Sequence, residues 1–189
     1  MRLKDVIISF MLVFLSAGSL YAASPVVITD NLTSLEFGKN MEYLKDDSGK
    51  YTIDDVISES REWTRAEKEN FNFGFNPPAY WFRFTVDNRR ISSGGWYMEI
   101  NYPMIDYIDL YSPNGDGTFS VFNTGDRFLF KQRDIIDRNF VFHLNPGTGI
   151  HTYYVRFKTA SSLNFKPLMW STREFIGQKN QEFPVFWMY

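Results

Sequence analysis

Tyr80-Trp81-Phe82-Arg83-Phe84-Thr85-Val86 decides the fold of this chain. A strand turns successive side chains to opposite faces. Tyr80, Phe82, Phe84 and Val86 therefore share one face, and Trp81, Arg83 and Thr85 share the other. The rest of the chain is built for the same architecture: 19 Phe, 11 Tyr and 5 Trp, an aromatic share of 19%, favour strands and can fill a sandwich interior.

Downstream, Gly94-Gly95 marks a turn before a strand over Trp96 to Ile100. Ile105 to Tyr111 follows, and the turn-rich Ser112 to Gly117 leads into its hairpin partner, Thr118 to Asn123. Phe140 to Leu144, Thr152 to Thr159 and Leu168 to Ser171 complete the run, with Pro146 to Gly149 as a loop. Upstream the signals are mixed. Short strands are expected at Val26 to Thr29, Ser34 to Phe37 and Met41 to Leu44. Thr52 with Asp55 forms a capping-box pattern for a helix over Ile53 to about Ser60, and Thr64 with Glu67 marks a weaker second helix start. Pro77-Pro78 closes this region. Strands separated by turns every 8–12 residues or so read as an all-β fold, a jelly-roll β-sandwich with one or two short helices.

The two ends carry different signals. Arg2 and Lys4 precede an apolar stretch from Val6 to Leu15, and Ala22-Ala23-Ser24 offers a small-residue cleavage site, so residues 1–23 read as a secretory signal. The alternative is an uncleaved anchor; in both cases the remainder is exported. About 165 residues remain, the length of one domain, assigned to 24–176. At the other end Phe183-Pro184-Val185-Phe186-Trp187-Met188-Tyr189 is apolar and aromatic, as at the interfacial start of a transmembrane helix. Residues 177–189 therefore read as a linker and the start of a truncated transmembrane segment, with a final edge strand as the alternative.

Charge and composition exclude several classes. The net charge is −2, with no basic block, which gives no footprint for nucleic acid. The absence of Cys removes disulfides and thiol chemistry, and with two isolated histidines, His143 and His151, no metal centre or cofactor is expected. Asp106 and Asp109 stand three apart on an expected strand and so face opposite ways, which defeats a paired-carboxylate glycosidase reading. No catalytic residue is assigned. Asn114-Gly115-Asp116-Gly117 reads as a hairpin turn rather than a calcium loop.

The chain from Tyr80 to Trp170 resembles the 7TMR-DISM extracellular domain, type 2. The likeness is carried by Tyr80-Trp81-Phe82-Arg83-Phe84 with Asn88, Trp96-Tyr97-Met98-Glu99-Ile100, and Ile105-Asp106-Tyr107-Ile108-Asp109-Leu110-Tyr111. Thr124-Gly125-Asp126 with Arg133, Tyr153-Tyr154-Val155-Arg156-Phe157 and Pro167-Leu168-Met169-Trp170 extend it. The resemblance implies a jelly-roll similar to carbohydrate-binding modules, lying outside the inner membrane ahead of seven helices and a cytoplasmic signalling module. The chain departs from that pattern at Tyr189, where the first helix should continue, and so looks like a fragment or a truncated product.

Candidate ligand-binding residues are Trp81, Arg83, Trp96, Asp126, Arg133, Arg156 and Trp170. Exposed Trp rings beside Arg or Asp make a sugar-binding platform; buried, the same rings are core, with Arg83 bridging strands. Asp126 and Arg133 flank an irregular loop holding Phe128, Phe130 and Gln132, and either read a polar ligand or pin the loop. The expected function is a sensory input domain on the periplasmic face of the inner membrane or in the periplasmic space, binding a small molecule or saccharide. Its partners would include the membrane, through a missing C-terminal helical region, and a second sensor protein or a second copy of itself. The alternative is a free-standing carbohydrate-binding or adhesive module.

Overall fold

The structure, a computed structural model, describes residues 23–58, 60–75, 78–91 and 94–182. Residues 1–22 of the expected signal peptide and the apolar run 183–189 lie outside the described residues, as does Pro77. Strands β1 (Val26–Ile28), β2 (Ser34–Glu36) and β3 (Met41–Asp46) precede helix α1 (Ile53–Ile57) and strands β4 (Thr64–Arg65) and β5 (Phe71–Phe75). Then follow β6 (Ala79–Asn88), β7 (Trp96–Ile100), β8 (Tyr107–Pro113), β9 (Phe119–Thr124) and β10 (Phe140–Leu144). The chain ends in β11 (Gly149–Lys158), β12 (Ser162–Phe165), β13 (Pro167–Ser171) and helix α2 (Thr172–Glu182).

One sheet has the order β4-β3-β6-β11-β8-β9, with β1 added in parallel to the end of β6; the other has the order β10-β7-β13-β2. Strands β6-β11-β8-β9 facing β2-β13-β7-β10 are the two interleaved four-stranded layers of a jelly-roll. The alternation read from the sequence sets the interior. Phe82 pairs with Val155, Phe84 with Tyr153 and Tyr80 with Phe157, all turned inward. They meet Trp96, Met98, Ile100, Phe140, Phe142 and Met169 from the second sheet. Strands β12 and β5 pair separately and bring Phe165 and Phe71 into ring contact with Phe82.

Four elements differ from the sequence expectation. Thr64–Arg65 is a short edge strand paired with Glu42 and Tyr43, not a helix start. Directly after it, Ala66 donates its amide to the Met41 carbonyl, so sheet pairing has taken over the backbone that a helix would need. Strands β5 and β12 are additional to the expected set; in the first, Phe71, Phe73 and Phe75 alternate, but the Asn72 and Gly74 between them are poor strand formers. Helix α2 occupies 172–182, continuing through the first residues of the stretch read as a linker.

Helix α1 is where the capping box placed it. Thr52 Oγ1 accepts from the Asp55 amide at 3.3 Å, and Asp55 Oδ2 accepts from the Thr52 amide at 2.8 Å. The helix lies on the outer side of the large sheet and sets Val56 against Trp81 and Tyr154, with Leu44, Tyr51, Ile53 and Trp63 around them. The second face of β6 is therefore covered at one end by the segment 47–63.

Candidate ligand-binding site

Strand register places the outward side chains of the large sheet in rungs. Glu42, Arg83, Tyr154 and Tyr111 stand side by side across β3, β6, β11 and β8. One rung along, Leu44, Trp81, Arg156, Asp109 and Asn123 do the same. Cross-strand neighbours of this kind are close enough to interact directly.

The second rung is closed. Trp81 is fully buried under α1. Arg156 donates to Asp109 at 3.2 Å and to the Gly49 carbonyl at 2.9 Å, which ties the turn after β3 down onto the sheet. Asn123 donates to the other oxygen of Asp109 at 2.7 Å.

The first rung is half open. Arg83 Nε donates to Glu42 Oε2 at 2.7 Å, and the guanidinium lies 4.6 Å from the centre of the Trp63 ring. Trp63 in turn sits 6.0 Å from Tyr154. Beside this pair is a hollow of about 240 Å3 lined by Asn40, Glu42, Arg83, Thr85, Thr152 and Tyr154. Thr85 and Thr152 share a hydrogen bond of 3.0 Å across its floor. Burial raises the Tyr154 hydroxyl pKa above the ordinary tyrosine value, while the neighbouring Arg83 pulls the other way, so the group remains a protonated donor at neutral pH. The hollow thus gathers a carboxylate acceptor, a forked cationic donor, hydroxyls and an amide beside a half-exposed indole. It is slightly smaller than common small-molecule sites, about 300–1,000 Å3, which suits a compact polar ligand. A larger hollow of about 350 Å3 runs along β4 and Phe71 to Phe73. Its charged side chains, Arg65, Glu67 and Lys68, are exposed rather than held in a fixed pair.

The candidate residues separate into five places. Arg83 lies in the half-open rung, while Trp81 and Arg156 lie in the closed one. Trp81 is 0% exposed and Trp96 1%, so neither ring offers a stacking face and both take the core alternative, a correction to the platform reading. Trp170 lies on the outer side of the small sheet, half-buried, its Nε1 donating to Glu99 at 2.8 Å. Glu99 also takes the Asn139 side-chain amide, so the carboxylate is satisfied from both sides. Helix α2 packs on this same face, with Phe175 stacked on Tyr97 at 4.5 Å.

Asp126 and Arg133 belong to the loop 125–139 at one end of the sandwich. Arg133 Nη1 donates to the carbonyls of Asp137, Arg138 and Asn139 at 2.6, 2.7 and 3.1 Å, and its guanidinium packs 4.3 Å from the Phe140 ring. Asp126 is exposed, and its effect on Arg133 is through space. Gly125 is required here: its φ is +142°, and a Cβ would run into the Asp106 carbonyl. Asp106 itself accepts from Ala160 N at 2.7 Å and Arg127 Nε at 2.9 Å, far from the partners of Asp109. In the turn at 114–117, Asp116 Oδ1 accepts from both Thr118 N and Thr118 Oγ1, closing the hairpin.

Glu42, Trp63 and Tyr154 were not singled out from the sequence. Tyr154 was legible as the partner of Arg156 in an alternating strand. Glu42 and Trp63 come from a region without periodicity, and only the pairing of β3 with β6 brings them to Arg83.

A search of curated proteins gives no match. Among solved structures, a family 6 carbohydrate-binding module covers 68% of this chain and 92% of its own, at 11% identity and a TM-score of 0.28. The sequence profile of the 7TMR-DISM extracellular 2 family matches residues 38–171, from the start of β3 through β13. The chain therefore belongs to the 7TMR-DISM extracellular 2 family, the sensory extracellular domains of membrane receptors.

Proposed function

We propose that this domain is the input module of a bacterial membrane receptor and binds a small polar ligand, a saccharide being the best fit, in the hollow beside Glu42 and Arg83. The observation that carries this reading is the Arg83–Glu42 pair, held at 2.7 Å yet left half open next to Trp63. A fixed donor–acceptor pair beside an indole matches what a polyhydroxylated ring needs: hydroxyl partners on one side and an apolar face on the other. The domain works by binding and carries out no reaction. In the same reading residues 1–23 direct export to the periplasmic side and are removed, and the chain beyond α2 leads into the membrane.

The test is a thermal-shift and calorimetric screen of neutral and acidic mono- and disaccharides. A ligand at about a hundred times its Kd adds roughly 2.7 kcal/mol of stability. Arg83→Met, which also leaves the buried Glu42 carboxylate without its donor, should lose that shift measured against its own ligand-free melting temperature. A ligand that stabilises Arg83→Met as much as the parent would move the site elsewhere.

A further inference from the structure

The loop 125–139 turns its apolar residues outward. Leu129 is 61% exposed, Phe130 52% and Ile136 60%, three large apolar side chains on one short connection. Three polar side chains of the loop tie down backbone at its base. Arg133 holds three carbonyls, Asp134 accepts the His143 amide at 2.6 Å, and Asp137 accepts the Asn139 amide at 2.8 Å. Lys131 and Arg138 are exposed beside the apolar residues, and Arg127, Asp126 and Asp134 are exposed on the same loop. The tip is held in place, since Arg133 lies 4.7 Å from the Phe130 ring while bound to the base of the loop.

Its position in the fold gives this surface a partner. The register of β11 runs from Gly149, opposite Asn88, to Lys158, opposite Tyr107, which defines two ends of the sandwich about 30 Å apart. The loop 125–139 leaves from the Tyr107 end, where Thr124 pairs with Ile108. Helix α2 starts at the other end, where Thr172 Oγ1 donates to the Gly95 carbonyl, and reaches the loop in its last turn, where Lys179 pairs with Asp137 at 2.8 Å. The chain thus leaves the domain beside the loop, and the residues that follow are Phe183-Pro184-Val185-Phe186-Trp187-Met188-Tyr189.

We propose that this end of the domain is a membrane-contact surface. Leu129, Phe130 and Ile136 enter the lipid interface, and Lys131 and Arg138 meet anionic headgroups. An apolar tip rimmed by basic residues is the composition that binds at that boundary, each basic residue near the surface adding about fivefold in affinity. The inference rests on the reading that the chain continues from α2 toward a membrane. The domain would then be held upright by two contacts, α2 and the loop, braced to each other through Lys179 and Asp137.

The full chain has no cysteine, so one introduced cysteine takes a nitroxide label uniquely. Leu129→Cys and Ile136→Cys report on the loop. Ile91→Cys and Ile150→Cys, 97% and 72% exposed in the parent, report on the opposite end. On adding vesicles of phosphatidylcholine with phosphatidylglycerol, the loop labels should gain contact with oxygen and lose contact with a water-soluble nickel chelate. The labels at 91 and 150 should not change. A Leu129→Ser, Phe130→Ser, Ile136→Ser variant should lower vesicle partitioning about tenfold without lowering the melting temperature. Vesicle-bound protein whose loop labels stay in water would overturn the loop contact and leave the attachment beyond α2 standing. Protein that does not bind vesicles would overturn both. Loop labels immobilised without lipid, together with a dimer that the serine variant dissolves, would assign the surface to a second copy and overturn the proposal.

Discussion

Two irregular segments, 47–63 and 125–139, are similar in length and both rich in large apolar residues, yet they are built inside out relative to each other. The first lays Tyr51, Ile53, Val56 and Trp63 on the sheet around Trp81 and keeps its polar groups at the periphery. The second puts a guanidinium at its centre and sends Leu129, Phe130 and Ile136 into solvent. The difference lies in what the polar groups find. In 47–63 the backbone is satisfied locally, by the capping box and by Asp46, which accepts from Ser48 Oγ at 2.6 Å and Tyr51 N at 2.9 Å. The apolar side chains are then free to face the sheet. In 125–139 the carbonyls of 137–139 turn inward and need a donor, so Arg133 takes the interior and displaces the apolar groups.

The largest expected effect comes from removing the seat of the first segment. Trp81→Ala should cost about 3–5 kcal/mol in urea unfolding and raise amide exchange across 51–63. A loss under about 1 kcal/mol would mean that the segment is not packed on Trp81, and the contrast would fail.

Next is Arg133→Met, which keeps the apolar bulk and strips the carbonyls of their donor; about 1.5–3 kcal/mol should be lost. Arg133→Lys, with a single rotating ammonium in place of the fork, should recover only part of it.

A smaller effect, on the order of 1 kcal/mol, should appear in acid at Asp46. Burial pushes this carboxyl up, but the Ser48 hydroxyl and the Tyr51, Gly49 and Lys50 amides outweigh it, leaving the pKa below the ordinary value. A depressed folded-state pKa contributes stability above the unfolded value of about 3.9, lost as pH falls through the folded one. Asp46→Asn should therefore be less stable than the parent at pH 7 and show a shallower loss below about pH 4.

The smallest effect is expected at Asp126. It is exposed and reaches Arg133 only through space, so Asp126→Ala should stay within about 0.5 kcal/mol. A larger loss would make it a pin of the second segment after all.

The sandwich was legible because its signal is period two. Trp96–Ile100 and Phe140–Leu144 fall where the alternation put them, and the two sides of Tyr80 to Val86 separate as read. The site was legible only in part, for the same reason. Alternation tells which residues share a face but not what covers it, and Trp81 and Arg83 have the same parity with different fates. The cover comes from 47–63, and the open rung from a partner 41 residues away, Glu42. Neither leaves a local pattern. The exposure of Trp170 was equally unreadable, since it depends on Glu99 across the sheet and on α2 docking beside it.

The parallel pairing of Val26–Ile28 with Val86–Asn88 has a consequence for how the molecule is made. A chain is delivered N-terminus first, and here the first strand delivered must wait for residues 86–88 before it has a neighbour. Strand β6 finds β3 already made on one edge, but its other edge must wait for β11, whose residues lie from 61 to 77 positions further on. Until then the centre of the large sheet carries an unpaired, aromatic-rich edge. Such long-range pairing slows folding and lengthens exposure to aggregation. The order of synthesis thus makes the joining of β3-β6 to β8-β9 in one sheet depend on the arrival of β11 between them.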